Sequence, residues 1–344
     1  MVRRLIKMRW PIPVLVVALV GGIVAFSVVN ANSSDDVLVI YNGRAHYGDE
    51  TVFTEFEEAT GIEIELRGGT GPELYERLRR EGDDTPADVL VTTDLANLWR
   101  AEEARMLLTG VTSPALEADV PEALRDPDLG WWPVSTRVRV PVVSIERVPE
   151  GAVTSYEDLG DPEFGGRTCL RTSSSEYNQS FVADRIAKDG PDATRALLES
   201  WMANDPQFVN SDGELLAVMA AGDCDVGLVN HYYLGRALAE DADFPVAPVW
   251  PDQGGRGAHA NVSGAGVVAW SDQPDEARQL IEWLTSPAAQ EEIIAGSEFP
   301  VNPAVQPAEH IRDWGGIKLD PIAANEAGPL LEQAIQLMLE VGWN

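Results

Sequence analysis

Short apolar runs and amphipathic stretches follow one another along most of the chain. Val37-Leu38-Val39-Ile40-Tyr41 is a continuous apolar run of strand length, the pattern of a buried strand. Over residues 51–59, Val52, Phe53 and Phe56 recur at helical spacing, and Gly61 supplies a stop. Ile62-Glu63-Ile64-Glu65-Leu66 alternates with the period of a strand. Residues 68–72 form a Gly-rich loop, and Pro72 suits the first turn of a helix containing Leu74 and Leu78. Residues 87–92 read as another strand and 95–108 as a helix. A second set of elements begins with a strand at 137–144 and includes Val226-Gly227-Leu228-Val229-Asn230. The run at 264–270 reads as a strand returning to the first set, and helices are expected over 276–284 and 288–295. A last helix over 329–341 is expected to bury Leu331, Ile335, Met338 and Leu339. Strands and helices in short alternation predict α/β architecture, with mostly parallel sheets covered by helices. Ligands of such proteins bind at the carboxyl ends of strands, which directs attention to the segments that follow each strand.

The amino terminus departs from this pattern. Arg3, Arg4, Lys7 and Arg9 precede an apolar run over 11–29, and a polar stretch follows at 30–36. Basic, apolar, then small and polar is the order of an export signal. The run is also close to the ~20 residues a membrane span needs, so cleavage after Ala31 and retention as an anchor both stay open. The basic flank keeps to the cytoplasm and sends the rest of the chain outside it. No Cys lies near the segment, which excludes a lipid-modified amino-terminal Cys.

Charge narrows the partners. The 344 residues carry 25 Lys and Arg against 56 Asp and Glu, a formal net charge of −31. Four of those basic residues and no acidic one lie in 1–34, so the exported part carries about −35. Such a surface excludes a basic nucleic-acid binder. The two cysteines, Cys169 and Cys224, read as a disulfide outside the cytoplasm, against the alternative of two buried thiols.

Tyrosine carries the candidate chemistry. Of seven tyrosines, Tyr47, Tyr177, Tyr232 and Tyr233 stand in polar, loop-like stretches after predicted strands. They sit in Arg44-Ala45-His46-Tyr47, Ser173-Ser174-Ser175-Glu176-Tyr177-Asn178-Gln179-Ser180 and Asn230-His231-Tyr232-Tyr233. A small, highly charged, hard cation favours oxygen ligands and displaces the phenol proton despite a free pKa of about 10. Ferric iron fits that description. Three phenolates neutralise a trivalent ion, and a neutral His46 adds a ligand without charge. A fourth phenolate leaves one negative charge for a nearby Arg to offset, with Arg44, Arg137 and Arg236 as candidates. Each motif has an ordinary reading too. A Tyr-Tyr or His-Tyr pair is commonly packing, the serines before Tyr177 serve equally as a loop and helix cap, and His259 and His310 read as solvent-facing or structural.

Taken together, these stretches resemble the ferric-iron-binding proteins of bacterial ABC importers, within the group 1 extracellular solute-binding superfamily. The resemblance covers nearly the whole exported chain and is nearest to cyanobacterial-type iron binders that lack an obligatory anion. It rests on Tyr41-Asn42-Gly43-Arg44-Ala45-His46-Tyr47, the segment from Phe53 through Gly61-Ile62, and Pro86-Ala87-Asp88-Val89. Ser135-Thr136-Arg137-Val138-Arg139-Val140, Tyr177-Asn178-Gln179-Ser180 and Asn230-His231-Tyr232-Tyr233-Leu234-Gly235-Arg236 belong to it, as do Asn261-Val262-Ser263-Gly264-Ala265-Gly266 and Phe299-Pro300-Val301-Asn302-Pro303. Ala45 departs from it, standing where many relatives have other small or polar residues.

The resemblance implies Tyr47, Tyr177, Tyr232 and Tyr233 as iron ligands and His46 as a ligand or near neighbour. Arg137 matches an Arg that lies beside the metal or holds a carbonate. The implied fold is the two-lobed periplasmic-binding-protein fold with crossing hinge strands (type II). After a signal or anchor at 1–34, one lobe would take 37–136 and 264–308, and the other 137–263 and 309–344. Capture without catalysis is implied, by a monomer that hands iron to an ABC permease subunit. Relatives that carry polyamines, thiamine, sulfate or phosphonates are the alternative, although their sites favour acidic boxes or backbone donors. A receptor or sensor role stays open with the anchor. An exported hydrolase is disfavoured because neither a Gly-x-Ser-x-Gly elbow nor a His-Glu-x-x-His run occurs. Ferric against ferrous preference, and whether carbonate or citrate completes the coordination, are left open.

Overall fold

A computed structural model describes residues 37–44 and 51–344. The expected export segment at 1–34, and His46 and Tyr47, lie outside the described residues. Among the described residues no helix is long and apolar enough to cross a membrane.

The first elements are β1 (Val37–Asn42), α1 (Thr51–Thr60), β2 (Glu63–Gly68), α2 (Gly71–Glu81), β3 (Val89–Thr92), α3 (Leu95–Glu103) and α4 (Pro114–Asp119). A long strand, β4 (Trp132–Ser144), leads to β5 (Thr168–Arg171), α5 (Glu176–Asp189), α6 (Pro191–Ala203), β6 (Gln207–Val209), α7 (Asp212–Ala221), β7 (Val226–Asn230), α8 (His231–Glu240) and β8 (Val246–Pro248). The chain then returns through β9 (Ala258–Val267), α9 (Pro274–Thr285), α10 (Pro287–Ile293), β10 (Phe299–Pro300), β11 (Leu319–Pro321), α11 (Ala324–Ala327) and α12 (Leu331–Glu340).

Strand order is β2-β1-β3-β9-β4-β7-β5-β6. Pairs β1–β2, β1–β3, β5–β6 and β5–β7 are parallel, whereas β4 and β9 run antiparallel to their neighbours on this path. Both long strands pass from one core to the other. Trp132 and Val134 on β4 and Ala265 and Val267 on β9 pack with β1, β3 and α9. Val138, Val140 and Val142 on β4 and Ala258 and Ala260 on β9 pack with Leu215, Leu216 and Val229. This is the expected two-lobed α/β fold with crossing strands. Because β4 is covered on both sides, almost all its residues are buried, the polar Ser135, Thr136, Arg137 and Arg139 among them.

Local chemistry explains the helix starts. Thr70 caps α2, accepting from the Glu73 N–H while the Glu73 carboxylate accepts from the Thr70 N–H. Asp94 caps α3 through the Ala96 N–H.

Three expectations need correction. The helix expected over 95–108 stops at Glu103, because Arg105 turns left-handed (φ 59°) and Leu107 bridges Val268 at the sheet edge. The strand expected over 264–270 runs instead over Ala258–Val267, with Val268 held by its bridge to Leu107 and 269–270 turning away. On α12, Ala334, Leu337 and Met338 form the buried stripe and Leu339 is 48% exposed.

Cys169 and Cys224 form the expected disulfide, Cα atoms 5.8 Å apart, closing a separation of 55 residues and joining β5 to the turn before β7. Replacing both by Ala should lower the unfolding free energy by about 2–4 kcal/mol in a denaturant titration. The unreduced, unfolded parent protein should titrate no free thiol.

Candidate functional site

Strand β7 runs directly into α8. Asn230 is extended, and His231, Tyr232 and Tyr233 form the helix's first turn. Tyr177 likewise lies in the first turn of α5, after the turn that follows β5. These tyrosines are therefore helix-borne and not in loops as expected. The polarity of Ser173-Ser174-Ser175 and of Asn230-His231 reflects helix entry, where backbone N–H groups lack intrahelical partners and the helix dipole favours negative charge.

Asn178 and Gln179 fasten the α5 entry. Asn178 Nδ2 donates to the carbonyls of Arg171 (2.9 Å) and Thr172 (3.1 Å), and Gln179 Nε2 donates to that of Ser173 (3.0 Å). Asn178 Oδ1 in turn accepts from Arg139 at 2.7 Å.

The two helix entries bring their phenols together. The hydroxyls of Tyr177 and Tyr232 lie 3.4 Å apart. The rings of Tyr232 and Tyr233 stack with centroids 4.4 Å apart. Tyr232 and Tyr177 are buried and Tyr233 is partly buried. Guanidinium groups surround them: Arg137 lies 4.9 Å and Arg171 5.4 Å from the Tyr177 ring centre, and Arg236 lies 5.0 Å from that of Tyr232. Arg171 was not among the sequence candidates, since its place at the end of a strand gives no signal of what it faces.

Arg137 is buried on β4 and donates to Asp94 at 2.9 Å. Arg236 Nε donates to the Gly296 carbonyl at 2.9 Å. Arg44 is buried in the Gly43–Arg44 turn after β1, donating to Glu298 at 2.7 Å and to Ser135 Oγ at 2.9 Å.

Burial pushes the Tyr177 phenol up to about 12, although Arg137 beside it pulls the other way. Left alone, this phenol stays protonated at neutral pH; an added cation reverses the balance. Among the described residues no group of three or more His, Cys, Asp or Glu side chains is placed to hold a metal. The phenols are the hard-oxygen set. Beside Tyr177, Asn230 Nδ2 and Ser175 Oγ are buried donors without a hydrogen-bond partner. They suit an oxyanion.

The histidines inside the described residues are structural. His231, which the sequence reading passed over, is fully buried, and burial pushes its imidazole down to about 3. Its neutral ring accepts the Val138 N–H at Nδ1 (3.0 Å) and stacks on Phe299. His259 is buried with Nδ1 2.8 Å from Asp184 Oδ2, and His310 Nε2 meets Ser297 Oγ at 2.7 Å at the surface.

Residues 51–318 match the family model of the bacterial extracellular solute-binding proteins. The chain belongs to that family. As a solute-binding protein it is 37% identical to iron uptake protein A1 of Synechocystis sp., over 88% of this chain and 86% of that one. It is 27% identical to a putative 2-aminoethylphosphonate-binding periplasmic protein of Salmonella typhi, over 83% of this chain and 85% of that one. In structure it superimposes on Trichodesmium FutA, solved in complex with iron and citrate, with a TM-score of 0.83 and 34% identity, over 90% of this chain and all of that one.

Asp184 on α5 is buried and pairs with His259 on β9 and with Lys188. Burial raises its carboxyl, but His259 and Lys188 outweigh burial and hold it below the ordinary carboxylate range. The stability this contributes is present above the unfolded value of about 3.9 and is lost as pH falls through the lower folded value. Below pH 4 the Asp184→Asn variant should therefore show a flatter decline in unfolding free energy than the parent. Denaturant titrations from pH 2 to pH 7 check this.

Proposed function

We propose that this protein captures ferric iron outside the cytoplasm and delivers it to an ABC permease in the membrane. One observation carries the reading: two buried phenols at helix entries meet at 3.4 Å, with a third ring stacked on one of them and three guanidinium groups around them. Burial keeps the Tyr177 phenol protonated, and the guanidinium groups beside the rings favour negative charge there. A trivalent cation gives both a role, taking three phenolates as ligands while the arginines balance further negative charge. The names of the relatives and structural neighbours, which bind or take up iron, support the same cargo.

In this reading Tyr232 and Tyr233 on α8 and Tyr177 on α5 hold the ion first. Closure brings Tyr47, with His46 beside it, from a lobe of residues 37–136 and 264–308 onto a lobe of 137–263 and 309–344. Arg137, Arg44 and Arg236 act from behind the ligands. Asn230 Nδ2 and Ser175 Oγ accommodate carbonate or citrate, an oxyanion that Arg171 also attracts. The disulfide and the amino-terminal segment fit an exported protein, cleaved or anchored, and a monomer suffices because the phenols meet within one chain. Polyamine or thiamine fits poorly, because the described cleft presents guanidinium groups to any organic cation.

Loading with ferric citrate should give a visible phenolate-to-iron charge-transfer band. Tyr232→Phe and Tyr177→Phe should each weaken iron binding by roughly 100-fold or more, beyond the range for losing an outer-sphere partner. A protein that stays colourless after loading, with affinity unchanged in Tyr232→Phe, overturns the proposal.

A further inference from the structure

The helix that carries Tyr177 presents a second face to the other lobe. Residues 176 and 180 are one helical turn apart and share a face, whereas 177 points about 100° away from 176. Glu176 accepts from Thr93 Oγ1 at 2.8 Å on Oε1 and from Asn97 Nδ2 at 3.1 Å on Oε2. Ser180 Oγ donates to Asp94 Oδ1 at 2.7 Å. Thr93, Asp94 and Asn97 form the turn after β3 and the start of α3, in the lobe built on β1 and β3. The fit is close on both sides of these contacts. A Cβ on Gly71, at the start of α2, would stand 2.6 Å from Asn97 Nδ2 and 3.3 Å from Glu176 Oε2. A Cβ on Gly328, just before α12, would stand 2.2 Å from the Trp99 ring on α3. Glycine is what allows the backbone so near at either place.

We infer that Glu176 and Ser180, with Thr93, Asp94 and Asn97, form an inter-lobe clasp that holds the cleft shut and sets how fast captured iron leaves. These are positioning residues that act on closure, and the inference rests on the proposed capture of iron between the lobes. Contacts made only in the closed state add to whatever the ion contributes to closure, so removing them favours the open state and speeds release. The coordination sphere stays as it was, because none of the five side chains is a proposed ligand.

The test loads the parent, Ser180→Ala, Thr93→Val, Glu176→Ala, Asn97→Ala and the Glu176→Ala/Asn97→Ala double variant with ferric citrate. Loss of the charge-transfer band is then followed after adding excess EDTA. Ser180→Ala and Thr93→Val change few atoms and should fold as the parent does. Each should release iron roughly 3- to 10-fold faster, the range of one net hydrogen bond, and Glu176→Ala about tenfold or more faster. The band position should not move, and the double variant should fall short of the product of its singles. Release within twofold of the parent in Ser180→Ala, Thr93→Val and Glu176→Ala overturns the clasp. So does faster release with a shifted band, which assigns the effect to coordination. A colourless parent sinks the iron reading and not the clasp, which small-angle scattering of the unloaded proteins then decides. A larger radius of gyration in Glu176→Ala than in the parent supports the clasp, and an unchanged one overturns it.

Discussion

The Asp94 carboxylate is the constraint on which the rest of the cleft depends. It is fully buried and accepts from Arg137 on one crossing strand, Asn261 on the other, Ser180 on α5 and the Ala96 N–H at the start of α3. A buried carboxylate is tolerated only when its lone pairs are met and a counter-charge is near, and Arg137 supplies the charge. The same guanidinium lies against the face of Tyr177. One buried ion pair thus fixes the crossing of β4 and β9, the start of α3 and the ring nearest to Arg137. Removing either partner leaves the other charge buried and alone, the costly way to break such a pair.

Around that pair the site balances opposing electrostatic pressures. Burial resists ionisation of Tyr177, the helix dipoles of α5 and α8 favour negative charge at their entries, and the nearby guanidinium groups favour it further. Arg171 answers in kind. Burial lowers its basicity, yet Asp212 and the three phenols beside it raise it further. None of these pressures removes a proton from a buried phenol at neutral pH. A cation among the oxygens does, so occupancy and ionisation are one event on the proposed reading. On that reading the site needs no cluster of carboxylates, imidazoles or thiols, and the described residues hold none.

Much of this was legible in the sequence because it depends on near neighbours. The apolar run before Asn230, the period-two pattern of residues 62–66 and Pro72 at a helix start each express local rules, and the fold follows from their alternation. The tyrosines stood out as scarce residues placed after strands. What was missed depends on distance or on competition. Met106 to Leu108 continue an apolar pattern that propensity extends into helix, but Leu108 N–H donates to the Val267 carbonyl on β9 and the Met106 carbonyl accepts from Ala269 just beyond it. Leu339 is as apolar as Leu337 and differs only in which stripe of α12 meets the core. Arg171, His231, Asp94 and Glu176 look like unremarkable polar residues because their partners lie far along the chain. Thr93 is 83 residues from Glu176, and Asn261 is 167 from Asp94.

Helix α5 shows how such long-range pairing turns into mechanism. Tyr177 faces the other phenols, and its neighbours Glu176 and Ser180 face the opposite lobe. A rigid helix cannot move one face without the other. On the proposed reading, closure that brings the opposite lobe onto an ion held by Tyr177 also brings Thr93 and Asn97 onto Glu176, and opening those hydrogen bonds carries that lobe away from the ion. Coupling of this kind needs no chain of intermediates, because both contacts belong to the same rigid element and differ only in which side of it they occupy.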